Sequence, residues 1–89
     1  MLRAIHKNKF EKDIKRLIKR GYDLEKLCSV IEDLVNEKPL SKKLRDHSLK
    51  GEYDDCRECH IEPDWLLIYL LAKPDIIFIR TGTHSDLFG

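Results

Sequence analysis

The first third of the chain combines a weak alternation with two stretches in which apolar residues recur at helical spacing. Residues 2–5 alternate between apolar and polar side chains and predict a short edge strand. The first helical stretch places on one face Phe10, Ile14, Leu17 and Ile18. The second has an apolar stripe made of Leu24, Leu27, Cys28, Ile31, Leu34 and Val35. We therefore expect two amphipathic helices, with Cys28 as a small core residue.

The residues that flank these stretches are typical of helix ends. The side-chain oxygen of Asn8 suits the free amides of a first turn, and Glu11 holds the reciprocal capping-box position. Gly21 suits the left-handed residue that ends a helix, Asp23 suits the next N-cap, and Pro39 stops the second helix. Because so short a turn joins them, the helices are predicted to pack as an αα-hairpin.

The rest of the chain predicts three strands after a polar connector over residues 40–51. The candidates span residues 52–61, 65–72 and 75–81, and each turn between them contains a proline. The middle strand is apolar on both faces, so it should lie at the centre of the sheet and under the helices. The expected fold class is α+β, an N-terminal αα-hairpin packed on a small, twisted, mostly antiparallel β-sheet, in a single domain over residues 1–89.

Charge is distributed unevenly along the chain. Residues 1–50 contain 14 Lys or Arg against 8 Asp or Glu, whereas residues 51–89 contain 3 against 8. A basic half on a small domain is typical of a protein that binds a polyanion or an acidic partner. Alternatively, the lysines on the helix faces only keep the protein soluble, and the charge distribution does not decide between these two interpretations.

Composition argues against a membrane protein and against a bound cofactor. No apolar run could span a bilayer and no apolar segment precedes the first charges, so we expect a cytoplasmic protein. Three cysteines without secretory features do not predict disulfides. Cys56-Arg-Glu-Cys59-His60 matches a haem-attachment pattern, but in a strand its two cysteines point to opposite faces. The same geometry weakens a zinc site with His47 or His84. We therefore expect no cofactor and no metal.

Titratable side chains gather around the ends of the apolar strands, namely His47, His60, Asp64, Arg80 and His84. Imidazoles, a carboxylate and a guanidinium are the groups that metal-free phosphodiester chemistry requires. A single histidine is more often structural, but a cluster favours function. A buried Arg80 needs a partner. We expect an ion pair with Asp64 or Glu62, a fixed fork for a phosphate, or both.

Two aromatic residues are each compatible with two roles. Trp65 either fills the core or contacts RNA or a histidine. Phe88 either packs onto the sheet or stacks on a base. Both are therefore candidates for RNA contact.

Three ordered motifs carry a family resemblance. Residues 46–51 read Asp-His-Ser-Leu-Lys-Gly, residues 57–69 read Arg-Glu-Cys-His-Ile-Glu-Pro-Asp-Trp-Leu-Leu-Ile-Tyr, and residues 80–89 read Arg-Thr-Gly-Thr-His-Ser-Asp-Leu-Phe-Gly. With the two leading helices they closely resemble the YafQ branch of the RelE/ParE toxins over essentially the whole chain. The resemblance implies the toxin of a bacterial type II toxin–antitoxin system, a ribosome-dependent mRNA interferase that a cognate antitoxin holds inactive.

The resemblance also implies which residues act on mRNA in the ribosomal A site. The family's functional positions fall here on His47, His60, Asp64, Arg80, His84 and the terminal aromatic Phe88. Contacts to ribosomal RNA phosphates would come from basic residues of the first helix, Lys12, Lys15, Arg16 and Lys19.

The mechanism we expect is transesterification, in which a general base activates the ribose 2′-hydroxyl and a general acid protonates the departing 5′-oxygen. His84 is assigned as the acid and Arg80 as the phosphate clamp. The base is His47 or Asp64, and His60 supports one of them. The alternatives are a noncatalytic ParE-like toxin that poisons DNA gyrase, a plain RNA-binding module with structural histidines, and a haem or zinc protein.

Overall fold

The computed structural model describes residues 1–89 and contains five strands and three helices. The strands are β1 (Arg3–His6), β2 (His47–Ser48), β3 (Arg57–Glu62), β4 (Trp65–Ala72) and β5 (Asp75–Gly82). The helices are α1 (Asn8–Lys19), α2 (Leu24–Val35) and α3 (His84–Phe88). In the sheet order β1-β5-β4-β3-β2, β1 runs parallel to β5 and every other pair is antiparallel. The predicted α+β fold class is confirmed.

Strand β4 occupies the centre of the sheet and is buried on both faces, as predicted. Its residues 65, 67 and 69 join a core of 12 buried residues that includes the inner faces of α1 and α2. Its residues 66 and 68 join a smaller buried cluster with Cys56 and with Leu87 of α3. The helical hairpin therefore covers one face of β4, and α3 covers part of the other.

Helix α1 begins without the predicted capping box. Its N-cap is Lys7, no side chain caps it, and Asn8 is already helical. The backbone N–H of Lys7 donates to the carbonyl of Phe78 at 3.1 Å, so pairing with β5 continues up to the residue at which the helix starts. The chain thus turns directly from strand into helix, and Asn8 is the first helical residue rather than the N-cap. The carboxylate of Glu11 lies 3.8 Å from the ring of His6 instead.

The boundary between α1 and α2 follows the prediction, whereas the end of α2 does not. Gly21 has a φ of 80° and therefore lies in the left-handed region. The Asp23 side chain accepts a hydrogen bond from a backbone N–H of the first turn of α2 at 3.1 Å. Helix α2 ends at Val35, before Pro39 is reached, and Glu37 follows in the left-handed region with a φ of 57°. Proline is therefore not the residue that ends it.

Two residues of the predicted apolar stripes lie at the surface. Cys28 is exposed and Ile18 is 57% exposed, so the prediction of Cys28 as a core residue is wrong. The buried residues of α2 are Leu27, Val30 and Leu34. Cys28 lies about 100° around the helix from Leu27, which places it beyond the edge of that face. None of the three helices has the length and apolarity needed to cross a membrane.

Strand β3 is shorter than the predicted strand over residues 52–61. Gly51–Tyr53 forms a turn of 3₁₀ helix, and Asp55 has a left-handed φ of 70°. This part of the backbone cannot extend into a ladder, so pairing begins only at Arg57. The segment before β3 instead folds toward the face of the sheet that α3 covers.

Replacing the N-cap of α2 should lower stability. We expect Asp23→Ala to reduce the free energy of unfolding by about 0.5–2 kcal/mol, because an amide of the first turn loses its acceptor. Glu32→Ala on the exposed side of the same helix is the control and should stay within about 0.5 kcal/mol of the wild type. Urea denaturation followed by circular dichroism measures both. Equal effects of the two substitutions would contradict the capping role.

Candidate active site

The register of the sheet places several titratable residues on one face, opposite α1 and α2. His47 pairs with Glu58, Glu58 pairs with Ile68, and Ile68 pairs with Arg80. Residues directly opposed on neighbouring strands share a face of the sheet. His47, Glu58 and Arg80 therefore form a row across the sheet, with His60 on the same face two residues after Glu58.

Three imidazoles follow one another along the rim of this face. The ring centroids of His47 and His60 are 5.9 Å apart with the planes at 26°, and those of His60 and His84 are 5.9 Å apart at 44°. Glu58 is buried beneath them, and its Oε1 lies 3.4 Å from Nε2 of His47 and 3.8 Å from Nε2 of His60. One carboxylate thus faces two of the three imidazoles.

The ring nitrogens of His47 and His60 have different surroundings. Nδ1 of His47 lies 2.6 Å from the carbonyl oxygen of Arg45. Because a carbonyl oxygen only accepts, Nδ1 donates, and Nε2 is the nitrogen directed at Glu58. Nδ1 of His60 is buried and has no hydrogen-bond partner. An unpaired buried nitrogen is unusual in a folded protein and favours a role for His60 in chemistry over one in stability.

His84 is oriented by Asp64, which lies in the turn between β3 and β4. Oδ1 of Asp64 accepts the backbone N–H of His84 at 2.9 Å and its ring Nδ1–H at 2.5 Å. These hydrogen bonds, the backbone one above all, hold the pKa of Asp64 below its ordinary value. Since Nδ1 is engaged, Nε2 of the half-exposed His84 ring is the nitrogen free to exchange a proton with a ligand.

The short helix α3, which begins at His84, is held in place by its own cap and by α1. Thr83 and Asp86 form a capping box. Asp86 also accepts two hydrogen bonds, at 2.8 and 3.1 Å, from Arg20, the C-cap residue of α1, and this contact holds the pKa of Asp86 far below its ordinary value. A Cβ at Gly82 would lie 2.9 Å from Oδ2 of Asp86, so this close approach requires glycine.

Arg80 does not form the ion pair expected with Asp64 or Glu62. Its Nε donates to Oδ2 of Asp13 at 2.6 Å and its Nη2 donates to Oδ1 of the same carboxylate at 3.0 Å. The Asp13 hydrogen bonds raise the pKa of the Arg80 guanidinium above its ordinary value. Glu62 pairs with Lys26 at 2.7 Å instead. The expected partner is therefore wrong, because a carboxylate on α1 lies closer to the end of β5 than either acid of the turn.

The two aromatic candidates differ in accessibility. Trp65 is 1% exposed, its indole N–H donates to Oγ1 of Thr81 at 3.0 Å, and Tyr22 packs edge-on against it. Trp65 is thus a core residue, which is a correction to its place among the RNA contacts. Phe88 is 51% exposed and contacts Tyr53 with ring centroids 5.8 Å apart at 89°. Phe88 therefore keeps a ring surface on which a base could stack.

The basic residues predicted on α1 are exposed, but they are not equivalent. Arg16 lies 3.7 Å from Asp13 and 3.6 Å from Asp86, so its charge is partly neutralised within the protein. Lys12, Lys15 and Lys19 form no ion pair and project from the exposed face of the helix. The lysines are accordingly the stronger candidates for contact with a polyanion.

Two of the three histidines, His60 and His84, line a cleft of about 610 Å³. Residues that line it include Lys43, Arg45, His60 and His84. Arg45 adopts the left-handed region, with a φ of 49°, at the end of a 3₁₀ turn over Lys42–Leu44. Glu62 also lines the cleft, but it is paired with Lys26, so the two cations beside the two imidazoles leave the cleft with the positive charge that a phosphate backbone requires.

One group of side chains has the geometry of a metal site. Ligand atoms of His47, Glu58 and His60 all lie within 4.8 Å of one another, and imidazole with carboxylate suits first-row transition metals. The cysteines do not contribute. Cys56 and Cys59 belong to buried clusters on opposite faces of the sheet, as predicted. Burial also raises the pKa of Cys59 to about 12, which keeps it a protonated thiol.

Comparison with known proteins decides the family. Residues 2–89 match the family described as bacterial toxin of type II toxin–antitoxin system, YafQ. The mRNA interferase toxin YafQ of Escherichia coli strain K12 is 41% identical over 85 residues, which are 94% of this chain and 92% of that protein. The chain belongs to the YafQ toxin family.

Solved structures of related toxins have the same fold as this YafQ toxin. The toxin in a crystal structure of the E. coli DinJ–YafQ complex is 39% identical to this chain. The two align over 100% of each chain with a TM-score of 0.93. A crystal structure of a metal-bound toxin from Helicobacter pylori is 46% identical, covers 99% of this chain and 100% of that chain, and also gives 0.93. The predicted family and fold are thereby confirmed.

Four residues of the candidate site were not predicted from the sequence, namely Asp13, Lys43, Arg45 and Glu58. The position of Asp13 could have indicated a buried acid. It lies three residues after Phe10 and four before Leu17, which is a position of the apolar stripe. The sequence indicated Glu58 more weakly, by its place two residues before His60 on the same face of a strand. The two cations lie in a polar connector, where no periodicity marks them.

We expect Asp64→Asn to release the His84 ring while leaving the fold intact. Without the carboxylate, Nδ1–H loses a charge-assisted hydrogen bond, so the ring should populate the Nε2–H tautomer. Nitrogen-15 NMR of the imidazole measures this change. Asp54→Asn is the matched control, since that carboxylate contacts only a neighbouring backbone N–H. A His84 spectrum that Asp64→Asn left unchanged would contradict the orienting role.

Proposed function

We propose that this YafQ toxin cleaves mRNA by metal-independent acid–base transesterification at the face that carries its three clustered histidines. Its family, and its 41% sequence identity to the mRNA interferase toxin YafQ of E. coli, make the chain an mRNA interferase toxin. The observation that carries the chemistry is the Asp64–His84 pair at the cleft shared with His60 and two cations. The match to an mRNA interferase favours this function over that of a noncatalytic ParE-like toxin.

The reaction requires a base, an acid and a cation, and no further reactant. The ribose 2′-oxygen attacks the neighbouring phosphorus as its proton passes to the base. The bond from phosphorus to the 5′-oxygen breaks, and the acid gives its proton to that oxygen. The products are a 2′,3′-cyclic phosphate and a free 5′-hydroxyl. Negative charge on the phosphoryl oxygens increases in the transition state, where a fixed cation stabilises it.

His84 is the general acid in this scheme. Its Nδ1–H is held by Asp64, so Nε2 carries the proton that is transferred, as in the arrangement of an imidazole oriented by a carboxylate. About half of the side chain is exposed at the cleft, which leaves the ring accessible to RNA. Asp64 consequently orients the acid and is not the base.

The general base is His47, acting with Glu58. Nε2 of His47 is the nitrogen that would accept the proton, and it lies 3.4 Å from Oε1 of the buried Glu58 carboxylate. The carboxylate compensates the positive charge that the imidazole gains when it takes up a proton. His60 stacks on His47 and lies beside the same carboxylate, and therefore supports the pair.

Arg80 and Phe88 complete the contacts to RNA. Arg80 is the phosphate clamp, because a guanidinium that is fixed before the reaction needs no reorganisation as charge develops. Phe88 offers its exposed ring for stacking on a base, which is sequence-tolerant and typical of single-strand recognition. Lys43 and Arg45 line the cleft where the backbone would pass.

The partners we propose are the translating ribosome, with mRNA in its A site, and a cognate antitoxin. The lysines of α1, Lys12, Lys15 and Lys19, would contact ribosomal RNA phosphates, which lets the ribosome position the mRNA that so short a cleft cannot hold alone. Antitoxin binding is supported by the related toxin solved in complex with DinJ. An amphipathic or extended antitoxin segment would cover the basic surface or the active site.

His84→Ala should abolish cleavage without unfolding the protein. We expect the rate of mRNA cleavage in a translating cell-free system, mapped by primer extension, to fall at least about a hundredfold when the acid is removed. His6→Ala is the control, because that histidine packs against Phe10 and Phe78 away from the cluster. Wild-type protein that blocks translation or replication without cutting mRNA would favour the noncatalytic toxin.

Transition metals should inhibit the toxin. A metal held by His47, Glu58 and His60 would supply a fixed positive charge but would occupy the nitrogen lone pairs that proton transfer needs. We expect phenanthroline, which spares the Mg²⁺ of ribosomes, to leave cleavage unchanged and excess Zn²⁺ to slow it. Calorimetry should show Zn²⁺ binding that His60→Ala weakens. Cleavage lost with the chelator and restored by Zn²⁺ would instead identify a metal cofactor.

A further inference from the structure

Asp13 is a buried acid on a basic helix, and no step of the proposed reaction uses it. Its side chain is 2% exposed and lies on the inner face of α1 between Phe10 and Leu17. Burying a carboxylate is costly unless its oxygens accept hydrogen bonds, preferably from a charged donor. The contacts of Asp13 therefore indicate what this position does.

The Asp13 carboxylate accepts three hydrogen bonds from the end of β5. Two come from the Arg80 guanidinium, at 2.6 Å from Nε and 3.0 Å from Nη2, and the third comes from the backbone N–H of Thr81 at 3.1 Å. This bidentate arrangement fixes the plane of the guanidinium as well as its position. Asp13 does not engage Nη1, and the Tyr53 hydroxyl lies close enough to the guanidinium to help raise its pKa.

The place of Asp13 follows from the topology of the sheet. Strand β1 pairs with β5 only as far as Phe78, so the edge of β5 beyond that residue has no neighbouring strand. Asp13 supplies the acceptor that a strand would have offered to Thr81. Thr81 in turn donates to the carbonyl of Leu66 at 2.8 Å and accepts from Trp65. The last residues of β5 are thus fixed on both sides, by α1 and by β4.

We propose that Asp13 is the positioning residue of the active site, which holds Arg80 by Nε and Nη2 so that the side of the guanidinium that Asp13 leaves free, at Nη1, is presented to the phosphate. This inference rests on the proposed function, in which Arg80 is the clamp. Asp13 itself touches no substrate. It acts by removing the rotational freedom of a long side chain before RNA arrives, which is the contribution that preorganised groups make to catalysis.

A positioning role and a purely electrostatic role of Asp13 predict different changes in RNA binding and in kcat when its charge is removed. Removing a negative charge beside a basic helix would, by electrostatics alone, tighten RNA binding. Loss of positioning would instead lower kcat and leave KM nearly unchanged, because the clamp acts mainly in the transition state. If the role of Asp13 were only structural, its replacement would lower stability but would change neither kcat nor KM of the folded protein.

The test compares Asp13→Asn with Asp75→Asn in the cell-free cleavage assay. Asp75 is a matched control, since it accepts the same bidentate pair from Arg3, at 2.7 and 3.1 Å, at the other end of β5. We expect Asp13→Asn to lower kcat about tenfold to a hundredfold, with KM unchanged or lower. Asp75→Asn should leave both constants unchanged. In an Arg80→Ala background, Asp13→Asn should cause no further loss, because both substitutions remove the same interaction.

An NMR signal tests the pair without reference to activity. The Nε–H resonance of Arg80, assigned with Arg80→Ala, should exchange slowly with solvent in the wild type and rapidly in Asp13→Asn. If Asp13→Asn does not fold, Asp13→Glu keeps the charge but displaces the guanidinium, and kcat should still fall at least about tenfold. Folded Asp13 variants with wild-type kcat, or equal losses with and without Arg80, would overturn the proposal. Wild type that cleaves no mRNA would overturn the proposed function instead, with the NMR signal unaffected.

Discussion

Burial of both faces of β4 is the constraint on which the rest of the structure depends. Each apolar face must be removed from water, at roughly 25 cal/mol per Å² of apolar surface. The amphipathic hairpin of α1 and α2 buries residues 65, 67 and 69 on one face. The other face is covered only in part, by α3 and the segment before β3. The imidazoles and Glu58 occupy the remainder of that second face, where a rigid sheet positions them and the cleft remains open to a ligand.

The two faces are nevertheless coupled, and α1 couples them. Its inner face packs on the sheet, its Asp13 holds the end of β5, and Arg20 at its C-cap holds α3 through Asp86. Arg80 therefore takes its orientation, and α3 with His84 at its start takes its place, from a helix that lies on the opposite side of the sheet. A domain of this size has few residues that serve only one purpose, and α1 contributes to the core, to the active-site geometry and to the basic surface.

Features that depend on hydrophobic periodicity and on neighbouring residues could be predicted from the sequence. The bounds of β4 and the cap at Asp23 were predicted correctly because they depend on neighbouring residues, and the clustering of His60 and His84 follows from strand ends that meet. What could not be predicted depends on distant pairing. Asn8 lost its capping role because Lys7 pairs with β5 across the sheet. Arg80 found its partner 67 residues away rather than in the adjacent turn.

Helix α1 places two kinds of charge in different dielectric surroundings, and ionic strength should separate their effects. Attraction between exposed lysines and RNA is screened beyond a Debye length of about 8–10 Å near physiological salt. The Asp13–Arg80 pair is largely buried, with side chains 2% and 15% exposed, and salt barely reaches it. Added salt should consequently weaken the encounter between toxin and RNA while the bound complex turns over at an unchanged rate. One helix thus provides a salt-sensitive docking surface and a salt-insensitive support for catalysis.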